Sequence, residues 1–494
     1  MKNEDFYGKG GQKITLKRIL LSVLAAVTVW NMIGCKPKRS EVTELVWAVP
    51  GNRADGFDAV EKKINEITLK RLNTRITFDF LSSSDYQNRI NSKIETGEPI
   101  DLCFTGYLDS YMARVFDDRL MPLNELLEYV PNLKESVPEY LWDGARIQGK
   151  IYAVPNEQIS ASSTAMVISK ELADKYNFDV TKVKASADIE PLLKALKENE
   201  PDVYPIKMNW GLNGISSLDS GEFYEGSYAG AYIKYDNGKI TVPLVTEDEN
   251  RIEAVKLVRN WYNSGYIRRD VAVAGDSAAE LADGKYAVWF EPYKPGIERQ
   301  RQLLTGNDVY AVQISQPYMS SGSIQGAMTG IPTSSAHAFE AIKLLELVNT
   351  EPEILNLLTF GIENKNYKKI STNVVQRIGK QFSYQTWLFG NQFLVYTDSE
   401  QNGDVWEKTR EINNNAVKSP LIGFAAETSG IATEITRCNE VVSRYSAMNN
   451  GSEEPADYWE QFDTELKAAG AEVIRQELEK QINEFLNNKE AFKK

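Results

Sequence analysis

Histidine is almost missing: His337 is the only one in 494 residues. It stands in Ser334-Ser335-Ala336-His337-Ala338-Phe339-Glu340, which reads as a capped helix start. Without a second histidine there is no zincin motif and no multi-histidine metal site, and a Ser/His/Asp triad would have to use that one residue. Hydrolytic chemistry would rest on carboxylates alone. Cysteine is nearly as scarce, at positions 35, 103 and 438. Cys103, inside Ile100-Asp101-Leu102-Cys103-Phe104, reads as a small buried hydrophobe, and sequence leaves its pairing with Cys438 open. Basic charge is short as well. The net charge is -13, and because residues 1–34 hold five Lys/Arg and two Asp/Glu, the remainder carries -16. Such a body has no basic field to collect phosphates, which argues against nucleic acid and anionic membranes as partners. Internal repeats and low-complexity segments are lacking. The acidic runs Glu247-Asp248-Glu249 and Asp117-Asp118 lack the alternating ligands and glycine of an EF-hand and read as solvated surface. No metal or other cofactor is expected.

An uncharged apolar run from Ile19 to Ile33 is preceded by Lys17-Arg18; it is short for a transmembrane helix and suits a signal-peptide core. It ends Met32-Ile33-Gly34-Cys35, which resembles the lipobox of bacterial lipoproteins. The resemblance implies a leader over 1–34, lipid attachment at Cys35 and a tether over 35–44. More than one hydrocarbon tail would hold a water-soluble body stably at the outer face of the cell membrane. An ordinary signal peptide or an uncleaved anchor is the plainer alternative.

The remaining length is too great for one core and suits two globular lobes. Leu45-Val46-Trp47-Ala48-Val49 is a buried strand, a helix carries Val60, Ile64 and Ile67 on one face, and Arg75 to Phe80 alternates as a second strand. Tyr86, Ile90 and Ile94 mark the next helix, Gly97-Glu98-Pro99 stops it, and a third strand follows from Ile100. This βαβαβ pattern predicts a parallel sheet with ligand-binding loops at the carboxyl ends of its strands, at 50–55 and 106–110. Asp236-Asn237-Gly238 predicts a tight hairpin between 232–235 and 239–242. Near the end, Tyr458, Phe462 and Leu466, then Ile474, Leu478, Ile482 and Phe485, form apolar helix stripes read as packing faces.

Gly149-Lys150-Ile151-Tyr152-Ala153-Val154-Pro155, Trp261 to Ile267, Leu281 to Phe290, Gly330-Ile331-Pro332 and Gly361 to Tyr367 follow one another in a recognisable order. That order resembles the extracellular solute-binding proteins of ATP-binding-cassette importers, specifically the carbohydrate-type family 1 lipoprotein subgroup with an extended C-terminal region. The resemblance implies an α/β fold of the type II periplasmic-binding-protein kind, two lobes joined by a hinge with a ligand cleft between them. It implies that lobe 1 spans 45–153 and 311–362, and that lobe 2 spans 154–310 and 363–494 with the C-terminal helices. The implied partners are a carbohydrate ligand and the transmembrane permease subunits, with the receptor itself a monomer.

A saccharide site needs flat apolar faces for the C–H surface of the ring and planar polar groups for its hydroxyls. Aromatic and amide or carboxylate neighbours that meet this need are Asn209 with Trp210, Trp289 with Glu291 and Tyr293, and Trp387 with Asn391. Asn156 and Glu157 are placed at the cleft floor by the resemblance, and Asn52, Tyr107 and Trp142 lie in or near first-lobe loops. Trp47 and Trp261, inside strand and helix patterns, are read as core. The expected mechanism is hinge closure around an oligosaccharide, without covalent chemistry. The rival readings are a secreted carboxylate-dependent glycoside hydrolase or lyase, and a peptide-binding or adhesive lipoprotein.

Overall fold

The computed structural model describes residues 41–492, apart from 107–110, 209–210, 275–277, 380–381, 383–384 and 402. The leader, Cys35 and most of the tether lie outside the described residues. The chain opens with the expected βαβαβ unit: β1 (Thr43–Pro50), α1 (Phe57–Leu72), β2 (Thr74–Leu81), α2 (Tyr86–Thr96) and β3 (Leu102–Gly106). β1 runs parallel to both β2 and β3, and Trp47 and Phe104 are fully buried. After a helical excursion the chain forms β4 (Ala153–Pro155) and leaves this lobe.

β5 (Thr164–Ser169) and β6 (Tyr204–Ile206) begin a second sheet. A three-stranded meander follows, β7 (Glu222–Tyr228), β8 (Ala231–Asp236) and β9 (Lys239–Thr241), whose last turn places Asn237 and Gly238 at positive φ as the sequence predicts. Then come α3 (Glu249–Asn263), β10 (Tyr286–Pro292), α4 (Ile297–Thr305) and β11 (Val309–Gln313). The second sheet has the order β11-β5-β10-β6. Alternation divides its side chains. Met166, Ile168, Val288 and Phe290 face a core with Leu193 and Trp261, while Ala165, Val167 and Trp289 face Ile297 on the other side.

The chain returns through Tyr318–Met319 to β12 (Ala327–Gly330), which inserts antiparallel between β3 and β4, giving the order β2-β1-β3-β12-β4. Gly106 lies opposite Ala327, and a Cβ there would run into the Gly326 carbonyl. The backbones approach too closely for a side chain. Gly106→Ala is therefore expected to lower stability by about 2 kcal/mol, read from a denaturant midpoint.

The helix expected after His337 is α5 (Ala338–Thr350), with His337 at its N-cap. Three lobe boundaries differ from expectation. β4 pairs with β12 as far as Pro155, so the first crossing begins after that residue rather than at 154. β11 pairs with β5 as far as Gln313, so the return crossing begins after that residue rather than at 311. The described residues of 363–395, expected in the second lobe, enter the first core instead: Tyr367, Val375, Phe382, Leu388, Phe389 and Val395 are buried there, with Phe382 stacked on Phe57 and Phe389 packed against Phe78 of β2. Phe389, for example, meets Trp47 edge to face at 5.3 Å. Helix α6 (Val405–Asn415) leads to the third crossing. Beyond it, α7 (Ala432–Arg444), α8 (Pro455–Ala469) and α9 (Ala471–Phe492) share a core with the meander. Phe462, Leu466, Ile474, Leu478, Ile482 and Phe485 are all buried in it, as their spacing implies, whereas Tyr458 is exposed. Cys103 and Cys438 are buried in different cores and are not paired with each other.

Candidate functional site

Among the described residues three segments join the lobes, and they are hydrogen-bonded to one another. In the first crossing Ser162 exchanges both backbone hydrogen bonds with Tyr318 of the second, at 2.8 and 2.9 Å. Tyr318–Met319 in turn pair in parallel with Val417–Lys418 of the third. Asn413 fixes the first crossing from α6: its Oδ1 accepts from Ser160 N and its Nδ2 donates to the Gln158 carbonyl at 2.6 Å.

Beside this hinge, on the second-lobe side, lies a cavity of about 660 Å³. Small-molecule sites typically occupy roughly 300–1,000 Å³. Leu212, Ile215 and Leu257 line it and also pack on the Met166/Phe290 face of the second sheet, which fixes the face it occupies. Its aromatic wall comes from the edge strand β7 and from the hinge. The rings of Phe223 and Tyr318 stack at 4.2 Å and 9°, and Tyr235 continues the stack at 6.1 Å from Tyr318. Tyr224 and Tyr232 add a second pair, edge to face at 5.4 Å.

The polar lining is rich in hydroxyls. Ser186 Oγ donates to the Gly214 carbonyl at 3.0 Å and accepts from Ser216 N, so the serines of this wall are held in position. Ser163 Oγ is buried with no hydrogen-bond partner among the described residues, as is Arg251 Nε, although the other Arg251 nitrogens donate to Tyr232 Oη and Asn449 Oδ1. A buried polar atom left unpaired is costly, so both positions favour a bound polar group. Asp248, expected at the surface, is buried instead. It caps α3 and takes hydrogen bonds from Tyr224 Oη at 2.7 Å and Lys234 Nζ at 3.2 Å, an arrangement that fixes one aromatic of the wall.

The side chains expected to bind ligand fall into separate groups. Asn156, Glu157, Trp387 and Asn391 meet on the first-lobe side of the hinge: Asn156 Nδ2 donates to the Trp387 carbonyl at 3.0 Å, and Asn391 Nδ2 donates to Glu157 Oε2 at 2.6 Å. Glu291 lies in β10 opposite Ala165 of β5, and Tyr293 lies just beyond the hinge end of β5, where its N donates to the Ser163 carbonyl. Glu291 projects to the opposite face from the cavity and is engaged by Arg301 and by Trp289 Nε1. Trp289 and Trp142 are core residues, at 5% and 2% exposure, because the Ile297 and first-lobe cores respectively close over them. Asn52 is exposed at the end of β1. Tyr107, Asn209 and Trp210 lie outside the described residues. None of the described members of this set lines the 660 Å³ cavity. The run Glu222-Phe223-Tyr224-Glu225, which does, satisfies the same pairing of aromatics with carboxylates and was legible on that criterion.

Burial pushes the Glu157 carboxyl up to about 7, against a smaller opposing pull from Arg410. A carboxyl whose folded pKa exceeds its ordinary 4.5 favours the protonated fold, so stability is fullest below that value and falls as pH climbs towards 7. Each tenfold change in proton affinity is about 1.4 kcal/mol, and with Glu157 still partly wetted the whole effect is about 2 kcal/mol. Glu157→Gln should therefore raise the melting temperature at pH 8 and leave it nearly unchanged at pH 4. Thermal unfolding at the two pH values checks this.

Residues 420–487 match the family described as "Domain of unknown function (DUF3502)". Over 452 residues the chain is 27% identical to a carbohydrate ABC transporter substrate-binding protein of Streptococcus pneumoniae, covering 89% of this chain and 90% of that one. The crystal structure of the N-glycan transport solute binding protein NgtS from S. pneumoniae is similar with a TM-score of 0.83 at 25% identity, over 90% of this chain and 100% of that one. NgtS has also been solved in complex with Man1GlcNAc and with Man5GlcNAc. An extracellular solute-binding protein from Bifidobacterium longum subsp. infantis shares the two-lobe fold, with a TM-score of 0.61 at 16% identity over 89% of this chain and 98% of that one.

Proposed function

We infer that this chain, which belongs to the carbohydrate-binding substrate receptors of ABC transporters, captures an oligosaccharide at its hinge and presents it for import. It is a binding protein and not an enzyme. The observation that carries the reading is the cavity beside the hinge, where stacked aromatic rings face serine hydroxyls and carboxylates. A pyranose presents a C–H face and a rim of hydroxyls, which that wall complements. Contacts made with both lobes exist only when the lobes approach, so ligand shifts the population towards the closed form, and the transmembrane subunits read that form.

The protein works outside the cytoplasm. Among the described residues no helix is long and apolar enough to cross a membrane. Lipid attachment at Cys35 would supply the anchor, with the tether setting its reach and the receptor acting as a monomer beside its permease; the Gly34-Cys35 junction supports this part. Asn156, Glu157, Trp387 and Asn391, gathered on the first-lobe side, are the groups we assign to meet the ligand on closure. The neutral Man1GlcNAc and Man5GlcNAc bound by NgtS make mannose- and N-acetylglucosamine-containing oligosaccharides the first ligands to try.

A panel of such oligosaccharides, set against peptides of similar size, tests the reading. At a hundredfold excess over Kd a bound ligand adds about 2.7 kcal/mol, expected as a rise of about 3 °C in Tm. Stabilisation by peptides and by no saccharide would defeat it. Reducing ends released from a glycan by the pure protein would move the assignment to a hydrolase.

A further inference from the structure

The carboxylate of Glu225 sits where the cavity meets the hinge. It lines the cavity, and it accepts hydrogen bonds from the hydroxyls of Tyr318 and Ser419. Tyr318 belongs to the second crossing and is bonded through its backbone to Ser162 of the first. Ser419 belongs to the third crossing, where its own N–H donates to the Met319 carbonyl at 2.8 Å. One side chain of the second-lobe meander therefore touches, directly or through one further bond, all three strands that must move when the lobes close.

We propose that Glu225 couples occupancy of the cavity to the hinge, a saccharide hydroxyl donating to the same carboxylate that holds Tyr318 and Ser419. This inference rests on the reading of the cavity as the saccharide site.

The chemistry favours that role. No ion pair to Glu225 is formed among the described residues; burial raises its pKa, opposed by the hydroxyls of Ser419 and Tyr318 and by a smaller attraction from Lys489. A carboxylate has about four lone-pair sites, of which two are taken here, and an added donor from a ligand redistributes the bonds already made. Tyr318 adds a second route, because its ring stacks on Phe223 in the cavity wall while its hydroxyl holds Glu225. A ligand that presses on this ring displaces a residue built into the hinge ladder. A coupling of this kind needs a group with different contacts in the two lobe arrangements, and a side chain shared between meander and hinge meets that condition.

Ser419 is the useful handle, since it does not line the cavity. The full chain carrying Lys62→Cys and Lys194→Cys, exposed positions on the first and second lobes, is labelled for interlobe energy transfer. Ser419→Ala and Tyr318→Phe are each expected to change the unliganded distribution of interlobe distances. Ser419→Ala is further expected to alter affinity for Man5GlcNAc roughly fivefold, within the usual range of coupling factors. Glu225→Gln, which keeps an acceptor oxygen, should fall between wild type and Glu225→Ala. An unliganded distribution unchanged in both Ser419→Ala and Tyr318→Phe overturns the coupling, whatever binds. A changed distribution in a protein that binds no saccharide would uphold the tie to the hinge and remove the carbohydrate reading alone.

Discussion

Phe223→Ala is expected to weaken oligosaccharide binding by roughly thirtyfold, equivalent to about 2 kcal/mol. The ring is half-buried, stacked on Tyr318 within the cavity wall, and carried by an edge strand rather than by either sheet core. Truncation removes apolar area that a sugar ring would cover, and it also frees Tyr318 to tilt, so both halves of the stack lose contact. The fold depends little on it, because the meander packs its other residues, Ala231, Ile233 and Val242, against the C-terminal helices. Calorimetric titration with Man5GlcNAc measures the loss, and circular dichroism checks the fold. An affinity within threefold of wild type would show that the ligand lies elsewhere.

The second large effect is on stability. Trp289→Ala is expected to cost about 3–5 kcal/mol, because it empties the small core that Ala165, Val167, Ile297 and Val309 form with that indole. It also removes the Nε1–H that donates to Glu291 at 3.2 Å. Sequence alone suggests the opposite outcome, weaker binding in an intact fold, since Trp289-Phe290-Glu291-Pro292-Tyr293 has the composition of a sugar platform. A denaturant titration separates the two: a large fall in midpoint with unchanged affinity in the folded fraction is the expected result. Near-normal stability with weakened binding would return the indole to the ligand site.

What the sequence made legible follows from how local each signal is. The βαβαβ start, the Asn237-Gly238 hairpin and the apolar stripes of α8 and α9 are periodic over neighbouring residues, and the structure has them where the periodicity places them. Burial of Trp47 and Trp261 follows from the same patterns. The site was less legible because an aromatic beside a carboxylate has the same composition whether a core or a cavity covers it. Trp289 and Phe223 both satisfy that criterion, and only the face of the strand that each occupies tells them apart. Asp248 shows the converse. Three acidic residues in a row look like a solvated surface, yet the middle one caps α3 and accepts from Tyr224 and Lys234, partners 24 and 14 residues away. The misplaced segment 363–395 has a related cause, since nothing local in Tyr367 or Phe389 says which of two cores will receive it.

The first core has a consequence for how the chain is made. Trp47 is covered by Phe389, and the core it shares with Leu45 extends to residues as distant as Val395, so the N-terminal unit cannot bury its apolar face when it first emerges. At roughly 5–20 residues synthesised per second, that surface stays open for on the order of tens of seconds. A delay of this length exposes the nascent chain to aggregation, yet it also leaves the polypeptide slack enough to be threaded through a narrow translocation pore before either half can lock. The long-range packing that holds the finished core together is thus the same property that would keep the chain exportable while it is being built.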